Sequence, residues 1–400
     1  MKTLKPEHLM FMQNLINPAN NGKIVCKNGV DTCVAMGILR IFCPDDHLID
    51  SRIVPNKQTS NISNLISSMI TGKKLYKNSY YLIIGGTLSE QVCKDIDRIN
   101  QMDLSLGGEY KVLFVPSRTH DYVYQYDWVI GTNESITVSE DMRDLMYEYD
   151  RTQPRGNGTK LQQLFRANGK NPIDNIDALI AAAKAYSYSD MSKLEGKLAL
   201  QLSTLINGIR RSKVSEFIYA LAECMVGTLF NKTEVTNGIE ENDPDKFIVN
   251  LPAEYVNQYY DLLSVVHQQV NMMDRFSFRA DYTDMVPKTE NLNVSIVFGV
   301  DGCTSAHPAT LWLRKHPSVD ILIAWDLRKP DFITFRTIKD IKVSEIAQLY
   351  FSTDVKSIGT LGMMDKMVRL RFNPTSIVIT GNVAGKERGF GGSRVQSTQK

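Results

Sequence analysis

The sequence lacks any apolar run long enough to cross a membrane, and its cysteines are few and scattered. No stretch approaches the roughly 20 apolar residues of a membrane-spanning helix, and residues 1–6 lead into no long apolar segment of the secretory type. The six cysteines form no C-x-x-C pair, which favours buried, reduced thiols over a disulfide framework. We expect a cytoplasmic protein without membrane contact.

An excess of charge of one sign is also missing. The 46 basic residues nearly balance the 44 acidic ones, which leaves a net charge of +2. Such a balance neither demands nor excludes a nucleic-acid ligand, and any basic surface must be local. The 400 residues, 43% of them apolar and 22% charged, are enough for two or three domains with cores of their own.

Short apolar runs and helical patterns alternate through the first 150 residues. The predicted strands lie at 23–26, 47–54, 80–84 and 112–115. The predicted helices lie at 31–42, 60–70 and 89–100. This alternation is typical of an α/β fold with a parallel sheet covered on both faces. We therefore assign residues 1–150 to a parallel-sheet domain.

The pattern becomes helical from Val138 onward and changes again near residue 276. Helices are predicted from 138, at 174–188, 193–230 and 252–275, with a polar loop at 231–245. Strands at 295–298, 319–325 and 332–336, with a helix at 304–316, follow. We expect a helical connector over 151–275 and a smaller α/β domain over 276–400, with a ligand cleft between the two lobes. The helices of 193–230 are long enough to pack a homodimer.

The most specific stretch, VDILIAWDLRKPDFITFRTIKDIKVSEIAQLYF, covers residues 319–351. It resembles the DHHA1 domain of the DHH phosphoesterase superfamily, which reads vSlRS…vdvseiA…GGGGH. The resemblance implies that Arg336 faces the substrate and that a glycine loop holds phosphate. Two segments match that loop, 359–362 and 389–393, and Ser393 stands where the family has histidine. The second segment adds the candidate ligand residues Gly389, Gly391, Gly392, Ser393 and Arg394.

The N-terminal half resembles the same superfamily by topology and spacing, but its metal ligands are largely replaced. The family's H-x-D-x-D turn falls on Lys27, Gly29 and Asp31, so only the last acid is kept. The second strand ends in Gly85-Gly86, where the family has a single aspartate, and the third ends in Pro116-Ser117-Arg118, where the family has D-H-H. Asp150 lies in a segment that resembles a helix of members acting on short oligoribonucleotides or cyclic nucleotides.

These departures lead to a hypothesis and two alternatives. Family members hold two Mn²⁺ or Mg²⁺ ions for hydrolysis. Lys27 and Arg118 instead have positively charged side chains, which neutralise a phosphate but do not activate water. The hypothesis is a catalytically degenerate pseudoenzyme that needs no cofactor and binds a nucleotide, short oligonucleotide or cyclic nucleotide. One alternative is an active, Mn- or Mg-dependent phosphodiesterase or nano-RNase using Asp31, Asp150, His120 and Asp121. The other is a scaffold for a protein partner.

Overall fold

The computed structural model describes residues 4–43, 46–56, 66–67, 78–86, 89–101, 110–117, 125–131, 137–152, 173–188, 194–230, 245–280, 292–328, 332–350, 362–364 and 366–371. The chain divides into two compact units. The first comprises Met1–Ser187 and Gln201–Tyr259, and the second comprises Tyr188–Leu200 and Tyr260–Lys400. The boundaries at residues 150 and 275 remain predictions.

A four-stranded parallel sheet forms the centre of the first unit. Its strands are β1 (Asn21–Lys27), β2 (Ile53–Asn56), β3 (Ser79–Ile84) and β4 (Tyr110–Val115), in the order β2-β1-β3-β4. Every residue of β3 is buried, as expected for a strand of a parallel sheet that is covered on both faces. The α/β fold class and the parallel sheet predicted from the sequence are confirmed.

Eight α-helices of the described chain lie before residue 227. They are α1 (Pro6–Ile16), α2 (Val30–Phe42), α3 (Asp46–Arg52), α4 (Glu90–Gln101), α5 (Val138–Thr152), α6 (Ile173–Tyr188), α7 (Leu194–Gly208) and α8 (Val214–Val226). Helix α2 packs against α5 and α8, and twelve of its thirteen residues are buried. This packing fixes the turn that joins β1 to α2.

Two predicted elements differ in the structure. The strand predicted at 47–54 is wrong, because Asp46–Arg52 is helical and β2 begins only at Ile53. Tertiary contacts hold this helix: Arg40 pairs with Asp50, and Arg52 donates hydrogen bonds to the carbonyls of Asn17 and Asn20. The continuous stretch at 193–230 is two helices, since α7 ends at Gly208, a residue type that favours helix ends. Most of the helix predicted at 60–70 lies outside the described residues.

A six-stranded mixed sheet forms the second unit. Its strands are β5 (Ser277–Ala280), β6 (Val294–Phe298), β7 (Ile321–Trp325), β8 (Phe332–Arg336), β9 (Gly362–Met364) and β10 (Met367–Arg371). Their order is β5-β6-β7-β8-β10-β9. Within the described part of this sheet, β6 and β7 pair in parallel and the other neighbouring strands pair antiparallel. Three helices accompany them: α9 (Ala253–Arg275), α10 (Ala306–Lys315) and α11 (Val343–Tyr350).

Both faces of this sheet carry apolar cores. Trp312 of α10 packs with Leu322 and Ala324 on one face, and Ile346 of α11 packs with Phe335 on the other. The predicted smaller α/β unit is therefore confirmed, whereas the ligand cleft between lobes remains a prediction. Among the helices that the structure describes, none is long and apolar enough to span a bilayer.

Candidate functional site

The carboxyl ends of β1, β3 and β4 lie side by side at one edge of the parallel sheet. Cys26 is in register with Ile84, and Ile84 is in register with Val115. The segments that begin at Lys27, Gly85 and Pro116 therefore leave the sheet together, at the edge where α/β proteins bind ligands. We refer to this region, made of Lys27–Gly29, Gly85–Gly86 and Pro116–Ser117, as the carboxyl edge.

Two glycines with left-handed backbone follow β3. Gly85 has φ +81° and Gly86 has φ +114°. A Cβ on Gly85 would lie 2.6 Å from Thr32 Oγ1, so the chain there is packed too closely for a side chain. The Gly86 N–H donates to Ser117 Oγ at 2.7 Å. At Gly85, where the sequence resemblance implies an aspartate, the left-handed backbone disfavours any side chain, and Thr32 would have to move to admit one.

The turn after β1 contributes a cation and an amide. Lys27 is partly buried, and α2 begins three residues later at Val30. Both polar atoms of the Asn28 amide are buried, and neither forms a hydrogen bond with any described residue. A buried polar group without a partner costs about 1–3 kcal/mol. The carboxyl edge thus holds unused hydrogen-bonding capacity beside a lysine.

Asp31 is the residue that the sequence resemblance aligns with the last acid of the H-x-D-x-D turn, and its carboxylate accepts hydrogen bonds from the start of α5. Oδ2 accepts a hydrogen bond from the Val138 N–H at 2.8 Å. Oδ1 accepts from the N–H and the hydroxyl of Ser139, at 3.0 and 2.7 Å. Burial raises the pKa of Asp31, while the hydrogen bonds from Ser139 and Val138 oppose that shift. Asp31 acts as the N-terminal cap of a helix more than one hundred residues away.

Asp150, a second candidate acid, lies on α5, far from the end of that helix that Asp31 caps. Asp31 binds the first two residues of α5, and Asp150 is near its last turn. Asp150 follows Ser139 by eleven positions, which corresponds to about 16 Å of helix axis. The structure therefore does not bring these two carboxylates together.

The donor set at the carboxyl edge does not fit Mn²⁺ or Mg²⁺. Hard divalent cations take carboxylate, carbonyl or imidazole ligands. The described strand ends supply Lys27, Asn28, three glycines, Pro116 and Ser117, none of them a carboxylate or an imidazole, and Asp31 already accepts three hydrogen bonds. Within the described part of the chain, no three His, Cys, Asp or Glu side chains lie close enough to share a metal.

Several predicted site residues lie outside the described residues. They are Arg118, His120, Asp121, Gly389, Gly391, Gly392, Ser393 and Arg394. Of the alternative glycine segment 359–362, the described residue is Gly362, the first residue of β9. The choice between the two glycine segments stays open.

Arg336 is the last residue of β8 and is 4% exposed, and its contact with a substrate stays a prediction. Sequence reasoning missed Asn28 and Ser139. Asn28 adjoins Lys27 and was visible as a polar residue in the turn. The contacts of Ser139 depend on helix packing, for which the sequence carries no local signal.

No protein-family model matches this chain, and neither does any curated protein. Solved structures with probability 1.00 include the DHH domain of a member of a family of ribosomal proteins (11% identity, 93% of this chain, 90% of that chain, TM-score 0.46). RecJ from Thermus thermophilus in complex with Mn²⁺ is similar over 94% of this chain and 54% of that one, with 11% identity and TM-score 0.42.

The pGpG-specific phosphodiesterase PggH from Vibrio cholerae is similar over 87% of this chain and 92% of that one, with 11% identity and TM-score 0.37. One of the three structures is itself a DHH domain, the superfamily that the motifs resemble. With about one residue in ten identical, the similarity is one of fold.

Proposed function

We propose that this protein is a DHH-type phosphoesterase homologue that binds a phosphate-containing ligand without cleaving it through a two-metal centre. The ligand is a nucleotide, a short oligonucleotide or a cyclic nucleotide, as the sequence resemblance implies. The observation that carries the proposal is the position of Asp31, whose two carboxylate oxygens are directed at the N-terminus of α5.

Loss of hydrolysis follows from the chemistry of the replacements. A two-metal phosphoesterase needs several oxygen or imidazole ligands that hold metals about 3.5–4 Å apart. Asp31 and Asp150 lie at opposite ends of α5, and Gly85 has no space for a side chain. A lysine ammonium stabilises a phosphate but does not generate hydroxide from water at neutral pH.

Retention of binding follows from what occupies the carboxyl edge instead. Lys27 supplies a positive charge, and the buried Asn28 amide supplies a donor that no described residue uses. Arg118 follows Ser117 in the sequence, and in this proposal its guanidinium also binds the phosphate. A cytoplasmic location, a homodimer and a protein partner remain predictions from the sequence.

The test combines binding and turnover on the full chain. Dinucleotides, tetranucleotides, cyclic mononucleotides and cyclic dinucleotides are titrated calorimetrically, and the same mixtures with excess Mn²⁺ are analysed by chromatography. Lys27→Gln and Asn28→Leu should each weaken binding by roughly tenfold. Lys94→Gln, which removes the same charge from the exposed side of α4, serves as the matched control and should bind like the wild type.

Three results would contradict the proposal. Turnover that Asp31→Ala abolishes would establish an active enzyme whose ligands are arranged differently. Binding that is equal in wild type, Lys27→Gln and Asn28→Leu would place the ligand elsewhere. Failure of the wild type to bind any of these compounds would favour the scaffold.

A further inference from the structure

Strand β5 lies at one edge of the mixed sheet. On one side it pairs with β6, where Phe278 is opposite Ile296 and Ser277 is opposite Val297. On its other side, no strand of the described part of the chain pairs with it. Backbone N–H and C=O groups need hydrogen-bond partners, and an uncovered edge strand is a template for a strand of another chain. β5 therefore offers a set of unused backbone donors and acceptors.

Exposed aromatic side chains surround this edge strand. Phe276 is 52% exposed, Phe278 is 38% exposed, and Phe298, the last residue of β6, is 41% exposed. We call these three phenylalanines the aromatic edge. The ring of Phe298 packs edge-on against Trp325 of β7, with 4.9 Å between the ring centroids. A phenylalanine side chain has about 150–250 Å² of surface, so the aromatic edge exposes roughly 250 Å² of apolar area.

The aromatic edge lies on a sheet face that its helix covers only in part. Helix α11 packs mainly against β8, β9 and β10. Phe278, Ile296 and Ile323 are opposite one another across β5, β6 and β7. Ile323 is buried in the same apolar core as Ile346 of α11. Ile296 is partly buried, and Phe278 is exposed. Burial thus decreases towards β5, and contiguous exposed apolar surface of this kind marks an interaction site.

The sequence of β5 suits pairing with the same strand of a second copy. A two-fold axis perpendicular to the sheet keeps every side chain on its own face, so the axis passes through a residue. An axis at Phe278 places the two Phe278 rings together and Ser277 opposite Arg279. An axis at Ser277 would bring Arg275 opposite Arg279, and an axis at Arg279 would bring that residue opposite itself. Like charges in opposite positions are destabilising, so Phe278 is the favoured centre.

We infer that two copies of this chain associate through β5, as an antiparallel strand pair centred on Phe278. The pair joins the two six-stranded sheets into one continuous sheet. The aromatic edge supplies about a third of the roughly 800 Å² that each partner buries in a standard interface, and the paired backbones add to it. The inference does not depend on the proposed ligand, because it uses no residue of the carboxyl edge.

A second copy fits this surface better than a nucleic acid does. Bases of a single strand stack on exposed aromatic rings, but they leave the backbone donors and acceptors of β5 without strand partners. A second β5 satisfies those groups and covers the rings at the same time. Backbone pairing combined with aromatic contact is the pattern of recognition by strand addition.

The experiment measures sedimentation velocity of the full chain over a concentration series. The wild type should form a dimer with a dissociation constant on the order of 10 µM, as expected for an interface of modest area. Phe278→Glu and Phe278→Lys each place like charges opposite one another at the axis. Each should raise the dissociation constant at least about tenfold. An equimolar mixture of the two variants should dimerise again, because opposite charges then face each other.

Two controls separate association from folding. Met10→Glu places the same charge at a residue of α1 that is 54% exposed, and this variant should dimerise like the wild type. Recovery of the dimer in the mixture shows that both Phe278 variants are folded, even if either one alone is less stable to urea.

Each remaining outcome overturns the inference. A wild type that stays monomeric at concentrations of about 100 µM has no such interface. A Phe278→Glu protein that dimerises like the wild type uses another surface. A mixture of the two variants that stays monomeric excludes the centre at Phe278. A monomeric wild type whose binding of single-stranded RNA is lost in Phe278→Glu assigns the aromatic edge to nucleic acid instead.

Discussion

Asp31 accepts hydrogen bonds from both the backbone N–H and the hydroxyl of Ser139, at 3.0 and 2.7 Å. The two residues are on different helices, α2 and α5, and the contact joins the first turns of both. A carboxylate at a helix N-terminus satisfies unpaired N–H groups and complements the helix dipole. The residue that the sequence presents as a catalytic remnant is thus a structural link.

Replacing Asp31 with alanine should lower the free energy of unfolding by about 2–3 kcal/mol. The change leaves the buried N–H groups of Val138 and Ser139 without their acceptor, and each such loss is costly. Urea denaturation followed by circular dichroism measures the difference. Asp261→Ala, which removes an exposed acid from α9, should change stability by less than about 0.5 kcal/mol. Equal effects of the two substitutions would contradict a capping role.

The raised pKa of Asp31 predicts that its contribution to the free energy of unfolding depends on pH. Folding favours the protonated form, so the contribution of Asp31 falls as pH rises from its ordinary pKa of 3.8 to the raised folded value. Asp31→Asn cannot titrate. The stability of the wild type relative to Asp31→Asn should therefore fall as pH rises through this window. A relative stability that rises instead would show that the hydrogen bonds to Asp31 outweigh its burial.

Gly85→Ala should destabilise the protein by about 1–3 kcal/mol. An alanine there must adopt φ near +81° and place its Cβ 2.6 Å from Thr32 Oγ1, and both effects carry a cost. Gly29→Ala is the matched control, because its backbone is extended and a Cβ would meet no atom within 4 Å. Thermal unfolding should give a lower melting temperature for Gly85→Ala than for Gly29→Ala. Similar melting temperatures would mean that the β3 turn adapts.

Asn100→Ala should lower the free energy of unfolding by about 2–3 kcal/mol. The buried Asn100 amide donates to the Val112 carbonyl at 2.8 Å and accepts from the Val112 N–H at 2.7 Å. Losing it leaves two backbone groups of β4 unmatched. Gln101→Ala, at the exposed next position, should be nearly neutral in the same urea titration. Faster hydrogen exchange of the Val112 amide in the Asn100→Ala variant would show that the lost stability comes from this pair of hydrogen bonds.

His307 should make the protein less stable in mild acid. Burial lowers the pKa of His307 from 6.5 to about 4. Between these pH values the unfolded chain therefore binds a proton at His307 that the folded chain does not. The free energy of unfolding should fall by about 3 kcal/mol between pH 6.5 and 4 through this residue. His307→Gln should reduce that slope in urea titrations at several pH values. An unchanged slope would show that the imidazole becomes charged in the native state.

Local sequence determined much of the architecture. Apolar runs with their turns located β1, β3, β4, β6, β7 and β8, because strands of buried sheets need continuous apolar side chains. The sequence, set beside the motifs that it resembles, also predicted that Lys27 replaces a histidine and that Gly29 and Gly85 replace acids. Segment 46–52 was assigned wrongly because its helix depends on ion pairs and hydrogen bonds with distant residues such as Arg40.

Only the tertiary structure decided what the retained polar residues do. The partners of Asp31 lie 107 and 108 residues away, and no local pattern records such a contact. The aromatic edge likewise forms through the pairing of β5 with β6, which depends on strand register. Composition and periodicity set which segments are buried, since burial follows from side-chain chemistry. Long-range packing set which side chains are in contact, and function depends on those contacts.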